Sequence, residues 1–474
     1  MRNIIVLGAG EAGDQISKLI SLNNRYNLKA ILDDNPGLDR IIAGVQVRHT
    51  SELEELINNY QVDEIIIAIS NISEEQYVKL VNKIKCFTGV VKKVPNLKML
   101  SSNALDLNHL NSVLLENRNE KSQKSFHATE NLSGRSVLVT GGAGSIGSEL
   151  CRQLLMSNVK KLTAVDISEH SLYQISEQLI FLKDKLDIDL ELNFVLADVK
   201  DQADMCDLLK RHKVDLVFHV AAYKHVNIAE NNECVTFINN VVGTKVMLEA
   251  CEHCSVKDFV LISTDKAVRP TNIMGATKRI AEVIANDFLT RGVFSNLSIV
   301  RFGNVIGSSG SVIPKFISQI RSGGPVSVTH PEVTRYFMSV EEAVSLIVGV
   351  NKLSGGGSTF HLDMGQPLKI VDVAEKLIIQ EGYNPVISAT EITPIKRKNE
   401  IIIKFTGLMK GEKLYEELLI DGEQYVTENE RIFRCGEVGP SKAEKIVVSK
   451  LLKGDWSRDD ASVRALLEPI MIEL

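Results

Sequence analysis

The chain has 474 residues, 24% of them charged, with a formal net charge of −6. That length exceeds one hydrophobic core and predicts two or three domains, while the near balance of charge excludes a polybasic nucleic-acid binder or an acidic tail. The seven cysteines form no disulfide-like framework, no apolar run approaches the roughly 18 residues of a membrane span, and Met1-Arg2-Asn3 leads straight into a strand, so a soluble cytoplasmic chain without a signal peptide is expected.

Residues 2–7 read as a strand running into Gly8-Ala9-Gly10-Glu11-Ala12-Gly13. This is GxGxxG in its proper setting, after a strand and before an amphipathic helix from Asp14 to Ile20. A strand over 28–33 ends on Asp33, 20 residues past Gly13, and 62–69 is a later buried strand. A small Rossmann-like unit is expected over 1–100, its glycines freeing the backbone to approach a phosphate at a helix N-terminus. A nucleotide fold that has kept its turn but lost its ligand would read the same, and nothing catalytic accompanies this site. Residues 101–133, rich in Asn, Ser, Glu and Lys, read as a linker.

From 134 to 474 the chain is richer. A strand over 136–140 enters Gly141-Gly142-Ala143-Gly144-Ser145-Ile146-Gly147, a GxxGxxG spacing, and then a helix. Asp166 ends the next strand, 19 residues past Gly147. A carboxylate there accepts hydrogen bonds from a ribose diol and repels a 2′-phosphate, which favours NAD over NADP. Asp198, followed by Val199, ends a third strand and suits a place beside the adenine. The fourth strand, 216–219, exits through Ala221 and Ala222, small enough for a flat cofactor to lie against the backbone, and reaches Lys224 and His225. His219 and His225 lack partners at metal-ligand spacing and read as strand-end or substrate-proximal residues. Asn240 begins a helix that ends at Cys251-Glu252-His253-Cys254, a CxxC with no second ligand pair, read as structural.

The chemistry gathers at 263–278. The apolar run 259–262 predicts a buried parallel strand, with Thr264, Asp265 and Lys266 at its carboxyl end, where open α/β sheets place their chemistry. An acid beside a base suits proton transfer in two directions, although a surface salt pair would look alike. A helix then opens, with Lys278 about one turn beyond Met274. Farther on, Ser339 with Glu342 reads as a capping box. Both α/β units are expected to have mainly parallel sheets with helices on each face.

Together these residues resemble the extended short-chain dehydrogenase/reductase superfamily, and within it the bacterial nucleotide-sugar 4,6-dehydratases of polysaccharide biosynthesis. The likeness covers about 134–440 and is carried by TGGAGSIGSEL (140–150), HVAAYKHV (219–226), NVVGT (240–244), STDKAVRPTNIMGATKR (263–279), VRFGNVIGSSGSVIPKF (300–316), THPEVTRYFM (329–338) and GEKLYEELL (411–419). The first unit looks like the nucleotide-fold domain that long members place after a membrane anchor, here expected without the anchor.

The resemblance implies tandem doubly wound sheets, the second with a small C-terminal substrate lobe mainly after 300. It implies NAD held by Gly141, Gly144, Ser145, Ile146, Gly147, Asp166, Asp198, Val199, Ala221, Ala222, Lys224, Asn240 and Lys278. The implied substrate is a UDP-linked N-acetylhexosamine, UDP-GlcNAc, met by Lys224, Asn304, Val312, Arg335 and Glu412, with 307–311 around its diphosphate. Arg335 qualifies because a guanidinium forks onto two phosphate oxygens. A homo-oligomer is implied as well.

Three positions depart from the pattern. The superfamily's Tyr-x-x-x-Lys reads Met274-x-x-x-Lys278, and Met cannot transfer a proton; many long dehydratases look the same. Asn227 stands where proline is usual, and Met409-Lys410 where Arg-Pro is common. Without the Tyr, Asp265 or a relay through Thr264 must receive the C4 hydroxyl proton. Lys278 would hold the nicotinamide ribose. Lys266 is the expected base for C5, which requires burial or neighbouring cations to lower its pKa from ~10.4. Asp265 would then donate to the leaving C6 hydroxyl. A C5-inverting dehydratase, a 4-epimerase and a non-catalytic nucleotide sensor remain alternatives. An epimerase needs no acid/base pair for C5 and C6, and a sensor has little reason to keep one.

Overall fold

The computed structural model describes residues 2–21, 26–34, 41–69, 87, 90–93, 132–308, 310–351, 353, 357–388, 399–417, 424–436 and 439–472. They divide into two compact units. One comprises Met1–Leu114, Val312–Pro331 and Ile370–Gly407; the other comprises Leu115–Ser311, Glu332–Lys369 and Leu408–Leu474. The expected linker over 101–133 lies outside the described residues except for its last two positions. No described helix is long and apolar enough to cross a membrane.

The first unit holds a six-stranded sheet in the order Ile41–Ile42, Val45–His49, Tyr26–Asp33, Arg2–Leu7, Glu64–Ile67, Val90–Lys93. Its strands are parallel apart from the first pair. The chain winds from Arg2–Leu7 out to one edge and returns on the other side at Glu64–Ile67, so the switch point lies between those two strands. Gly8 occupies it with φ +103°, and a Cβ there would lie 2.7 Å from the Ala68 carbonyl oxygen. This unit also carries a parallel three-stranded sheet of Val326–Val328, Glu400–Phe405 and Asn384–Ser388.

The second unit is built on a nine-stranded sheet. Its order is Gln424–Val426, Ile432–Cys435, Thr359–Leu362, Asn296–Arg301, Asp258–Ile262, Leu216–His219, Ser136–Thr140, Lys161–Asp166, Glu191–Leu196. Seven strands run parallel, and the first two pair antiparallel at one edge. Side chains alternate between two cores, as the pleat requires. Val137 and Val139 enter one with Leu150, Leu154 and Val344, and Leu138 enters the other with Met247, Ile280 and Ile284. Helices therefore cover both faces. This explains why the strands read as continuous apolar runs rather than alternating ones. The switch point falls between Ser136–Thr140 and Leu216–His219.

Below the end of strand Asp258–Ile262 lies a buried ionic cluster. Glu282, 0% exposed, accepts two hydrogen bonds from Arg301 at 2.8 and 2.6 Å, one from Ser263 Oγ at 2.6 Å and one from Arg279 at 3.2 Å. Burial alone would raise the Glu282 pKa, but the two guanidinium groups pull it down to about 2. The cluster ties helix Ile273–Thr290 to two strands of the sheet. Sequence reasoning did not single it out, because nothing local marks a carboxylate three turns into a helix as a partner for Arg301.

One element differs from expectation. Asn240 does not begin a helix: the chain is already helical from Glu233, and Ile238–Val242 is a π-helical turn leading into Gly243–His253. Such turns insert a residue where a side chain must be re-aimed. Ser339 does cap helix Val340–Val350, with both bonds of the capping box present.

Candidate active site

The glycine loop stands at the switch point. Gly141 has φ +63°, and a Cβ on it would lie 2.8 Å from the Ala221 backbone. A Cβ on Gly147 would fall 2.0 Å from the Gly141 carbonyl oxygen, so only glycine lets the helix start this close to the turn. Gly144 is the N-cap of helix Ser145–Leu155 and offers no capping side chain. The first turn of this helix, which holds Ser145 and Ile146, thus presents its N-terminal end at the glycine loop, the kind of place where an anion binds. Asp166 steadies the same loop, accepting from Ala143 N at 3.0 Å and Ser168 N at 2.9 Å. Asp198 pairs with Lys200 at 2.8 Å, and Val199 is buried. Ala221 and Ala222 are half-buried beside the loop, while Lys224 is exposed.

Asn240 is fully buried and fully engaged. Its amide donates to Tyr223 O at 3.0 Å and Thr277 Oγ1 at 3.1 Å, and its oxygen accepts from Tyr223 N at 2.8 Å and Asn239 Nδ2 at 3.1 Å. It therefore holds the exit of strand Leu216–His219 against helix Ile273–Thr290. His219 is equally committed. Thr140 Oγ1 already accepts from Val220 and Ala221 N–H, so its own proton goes to His219 Nδ1, and His219 Nε2–H donates to Thr244. Burial, and then the nearby Lys278, lower the His219 pKa to about 3, so the ring is neutral.

Met274 and Lys278 lie one turn apart on helix Ile273–Thr290, which Asn272 caps. Both are buried, and Lys278 Nζ donates to Ile262 O at 2.6 Å. Burial lowers its pKa to about 8. Thr264 N-caps the turn Asp265–Ala267 and donates its hydroxyl to Asp265 Oδ1 at 2.9 Å. Asp265 is 1% exposed, and its Oδ2 has no hydrogen-bond partner. Burial, with the Glu416 charge behind it, raises the Asp265 pKa against the lowering pull of Lys266 and Thr264.

Lys266 Nζ meets three acceptors: Asp265 Oδ1 at 3.1 Å, Asn304 Oδ1 at 3.3 Å and Glu416 Oε1 at 3.2 Å. Here the expectation of a depressed lysine is overturned. Burial does lower its pKa and Arg335 adds to that, but Asp265 and Glu416 outweigh both and hold it above its ordinary value. Lys266 rests as an ammonium.

Arg335 is 8% exposed and spends its donors inside the protein. They go to Thr334 O at 2.7 Å, Lys413 O at 2.9 Å, Leu414 O at 3.4 Å, Glu412 Oε1 at 3.2 Å and Glu416 Oε1 at 3.4 Å. The Glu412 carboxylate also accepts from Met409 N at 3.1 Å. Lys266, Asn304, Arg335, Glu412, Lys413 and Glu416 line one pocket, closed on another side by Thr271, Asn272 and Gly411. Gly411, with φ +74°, docks on 271–272, where a Cβ would lie 2.7 Å from Thr271 O. Val312 opens helix Val312–Arg321 in the other unit. Of the loop 307–311, Ser309 lies outside the described residues.

The cysteine pair behaves as a packing element. Cys251 is buried and Cys254 partly so, and burial raises the pKa of both thiols. Glu416 is the site residue that sequence reasoning passed over. It lies inside GEKLYEELL, but Tyr415-Glu416-Glu417 offers no local sign of which carboxylate turns inward.

Comparison with known proteins finds relatives for both stretches of the chain. Residues 137–437 match the model of the polysaccharide biosynthesis protein family, and residues 3–77 match the PglD N-terminal domain. The capsular polysaccharide biosynthesis protein CapD of Staphylococcus aureus is 37% identical over 91% of this chain and 71% of its own length. A UDP-glucose 4-epimerase of Rickettsia rickettsii is 32% identical over 61% of this chain and 79% of its own. The inverting UDP-N-acetylglucosamine 4,6-dehydratase of Campylobacter jejuni is 29% identical over 62% and 80%. Among solved structures, Pen from Bacillus thuringiensis matches with TM-score 0.55 and 27% identity over 68% of this chain and 99% of its own. The dTDP-glucose 4,6-dehydratase DesIV of Streptomyces venezuelae, solved with NAD bound, matches at 0.50 and 21% over 60% and 88%, a likeness of fold.

Proposed function

The chain belongs to the polysaccharide biosynthesis protein family, and we propose that it is an NAD-dependent nucleotide-sugar 4,6-dehydratase. Its substrate on this reading is UDP-GlcNAc, converted to the UDP-4-keto-6-deoxy sugar in the cytoplasm for surface polysaccharide or glycan synthesis. A homo-oligomer and the domain division 1–100, 101–133 and 134–474 are part of the same proposal. The observation that carries it is the Thr264-Asp265-Lys266 constellation at a strand end, with Glu416 on the same lysine, in a chain that has Met274 where a proton-transferring Tyr would serve simpler hydride chemistry.

The residues suit the cofactor. Gly141, Gly144 and Gly147 leave a cradle that a Cβ would fill, the Ser145–Ile146 helix start is uncapped, and Asp166 presents a carboxylate suited to a ribose diol. Ala221, Ala222, Asp198 and Val199 would flank it, and Lys278 would meet the nicotinamide ribose. Bound NAD supplies reversible hydride acceptance, so one molecule serves the oxidation at C4 and the reduction at C6.

The remaining work falls to side chains. The C4 hydroxyl proton passes to Asp265, which is too buried to reach far and is joined to the site through the Thr264 hydroxyl. Its raised pKa suits a carboxyl that must hold a proton for part of the cycle. Lys266, having first given a proton to solvent, draws the one at C5 as a neutral amine, and Asp265 returns its proton to the departing C6 oxygen as water forms. The product gains a proton at C5 from Lys266. Arg335 acts on this reading through its grip on Glu412 and Glu416, with Lys224 and Asn304 as further substrate contacts.

Gly303 tests the placement of Asp265. A Cβ there would lie 2.9 Å from Asp265 Oδ2. Gly303→Ala is expected to lower kcat by about tenfold or more with a smaller effect on Tm, since the atom met first is the Asp265 carboxylate, while Met364 Cε at 3.2 Å and Tyr336 Cβ at 3.3 Å need give only slightly. Full activity would show that the position of Asp265 is immaterial.

The deciding experiment is incubation of the purified chain with UDP-GlcNAc and no added NAD, followed by mass spectrometry and proton NMR. Loss of one water with a new C6 methyl signal is expected, and ring couplings report C5. The 32% identity to a UDP-glucose 4-epimerase favours a second reading, which predicts an isomer of unchanged mass. Unchanged substrate in a sample that releases NAD on denaturation would leave the sensor.

A further inference from the structure

Glu416 is a buried carboxylate that no step above uses. It lies in the 411–417 segment, far in sequence from Thr264-Asp265-Lys266, yet its Oε1 is held by two cations, Lys266 Nζ at 3.2 Å and Arg335 Nε at 3.4 Å. Its Oε2 is buried and has no hydrogen-bond partner. A purely structural ion pair would engage both oxygens, since an unpaired buried anionic oxygen is costly. Of the two carboxylates on Lys266, Glu416 lines the pocket with Lys266, whereas Asp265 is not among its lining residues.

We propose that Glu416 is a positioning residue of the reaction: with Asp265 it suspends the Lys266 amine at the pocket wall and governs when that amine gives up its proton. The inference rests on the dehydratase reading of this same site. Lys266 faces Asp265 on its own turn, Glu416 on 411–417, Arg335 on strand Thr334–Arg335 and the neutral Asn304; Glu416 in turn faces Lys266, Arg335 and Lys413. Burial pushes the Glu416 pKa up, but Lys266 and Arg335 pull it below the usual carboxylate range, so Glu416 stays charged while Lys266 cycles. Removing its charge while keeping its shape leaves Asp265 as the only carboxylate on the amine, and Lys266 then loses its proton at lower pH.

The test uses the whole 474-residue chain with NAD added. Lys266 is titrated by competitive labelling with acetic anhydride across a pH series, read by peptide mass spectrometry, in the unaltered chain, Glu416→Gln and Glu416→Asp. Glu416→Gln is expected to move the half-labelling pH of Lys266 down by about one to three units, and to move the rising limb of kcat against pH the same way. Glu416→Asp should restore most of both. A half-labelling pH that does not move overturns the proposal, as does a labelling shift in an active enzyme whose kcat profile merely drops without moving. If Glu416→Gln does not fold, Glu416→Asn takes its place as the uncharged variant, and a half-labelling pH of Lys266 that does not move in it overturns the proposal equally. If the unaltered chain fails to dehydrate UDP-GlcNAc, that failure belongs to the functional reading, and the labelling shift still decides whether Glu416 controls Lys266.

Discussion

Asp265→Asn is expected to reduce turnover of UDP-GlcNAc by about 10²–10⁴-fold, the usual contribution of a positioned acid or base. Asn keeps the shape and can still meet the Thr264 hydroxyl and Lys266, but it cannot take up and return a proton. The loss should therefore fall on kcat, with KM and Tm nearly unchanged. The pH dependence has a definite sign. Burial, acting against Lys266, raises the Asp265 pKa, so its ionised, proton-accepting form is lost as pH falls through a value above the usual carboxylate range. This loss should appear as a separate step on the acid side of the kcat profile, below the rise that Lys266 governs and above the pH of an ordinary aspartate. Steady-state kinetics from pH 5 to 9 measure this, and an Asn variant that turns over at the native rate would remove Asp265 from the chemistry.

The second large effect concerns stability. Glu282→Ala is expected to cost about 3–5 kcal/mol, the range for removing one member of a buried ion cluster. It removes the carboxylate that takes two hydrogen bonds from Arg301, 1% exposed, and it takes away the acceptor of Ser263 beside the catalytic turn. The folded Glu282 pKa of about 2 lies below that of an unfolded glutamate. Its stabilisation is therefore fully present above the unfolded value and is lost as pH falls through it toward 2, an amount on the order of 3 kcal/mol. Urea unfolding can be followed by Trp456, the single tryptophan, which packs edge-on against Phe237 at 5.1 Å in the second unit. The gap between variant and native should be wide at pH 7 and narrow progressively below pH ~4. A loss under 1 kcal/mol at pH 7 would show that the two arginines find other partners.

Local pattern was enough for much of this architecture. Gly8, Gly141 and Gly147 sit where a side chain would strike backbone across the switch point, and such a constraint leaves its mark at fixed offsets from a strand. The strand over 259–262 and the Ser339–Glu342 cap were readable for the same reason, since pleat burial and capping act between near neighbours. Asn240 was misread as a helix start because a π-helical turn differs from an α-helical one by a single residue, and the partners that select it, Tyr223 and Thr277, are 17 and 37 positions away.

The sequence by itself determined the two glycine turns, the carboxylates at the strand ends and the Thr264-Asp265-Lys266 triplet with Met274 in reach, because each depends on residues within one turn or strand. Only the tertiary structure decided the charge state of Lys266. Asp265 comes from its own turn, but Glu416 arrives from 150 residues later, and the sign of the pKa shift is set by burial and the opposing charges together. The same holds for Glu282. An ionisable side chain carries its chemistry in its name, but its working proton affinity belongs to the groups that folding brings within a few ångströms of it.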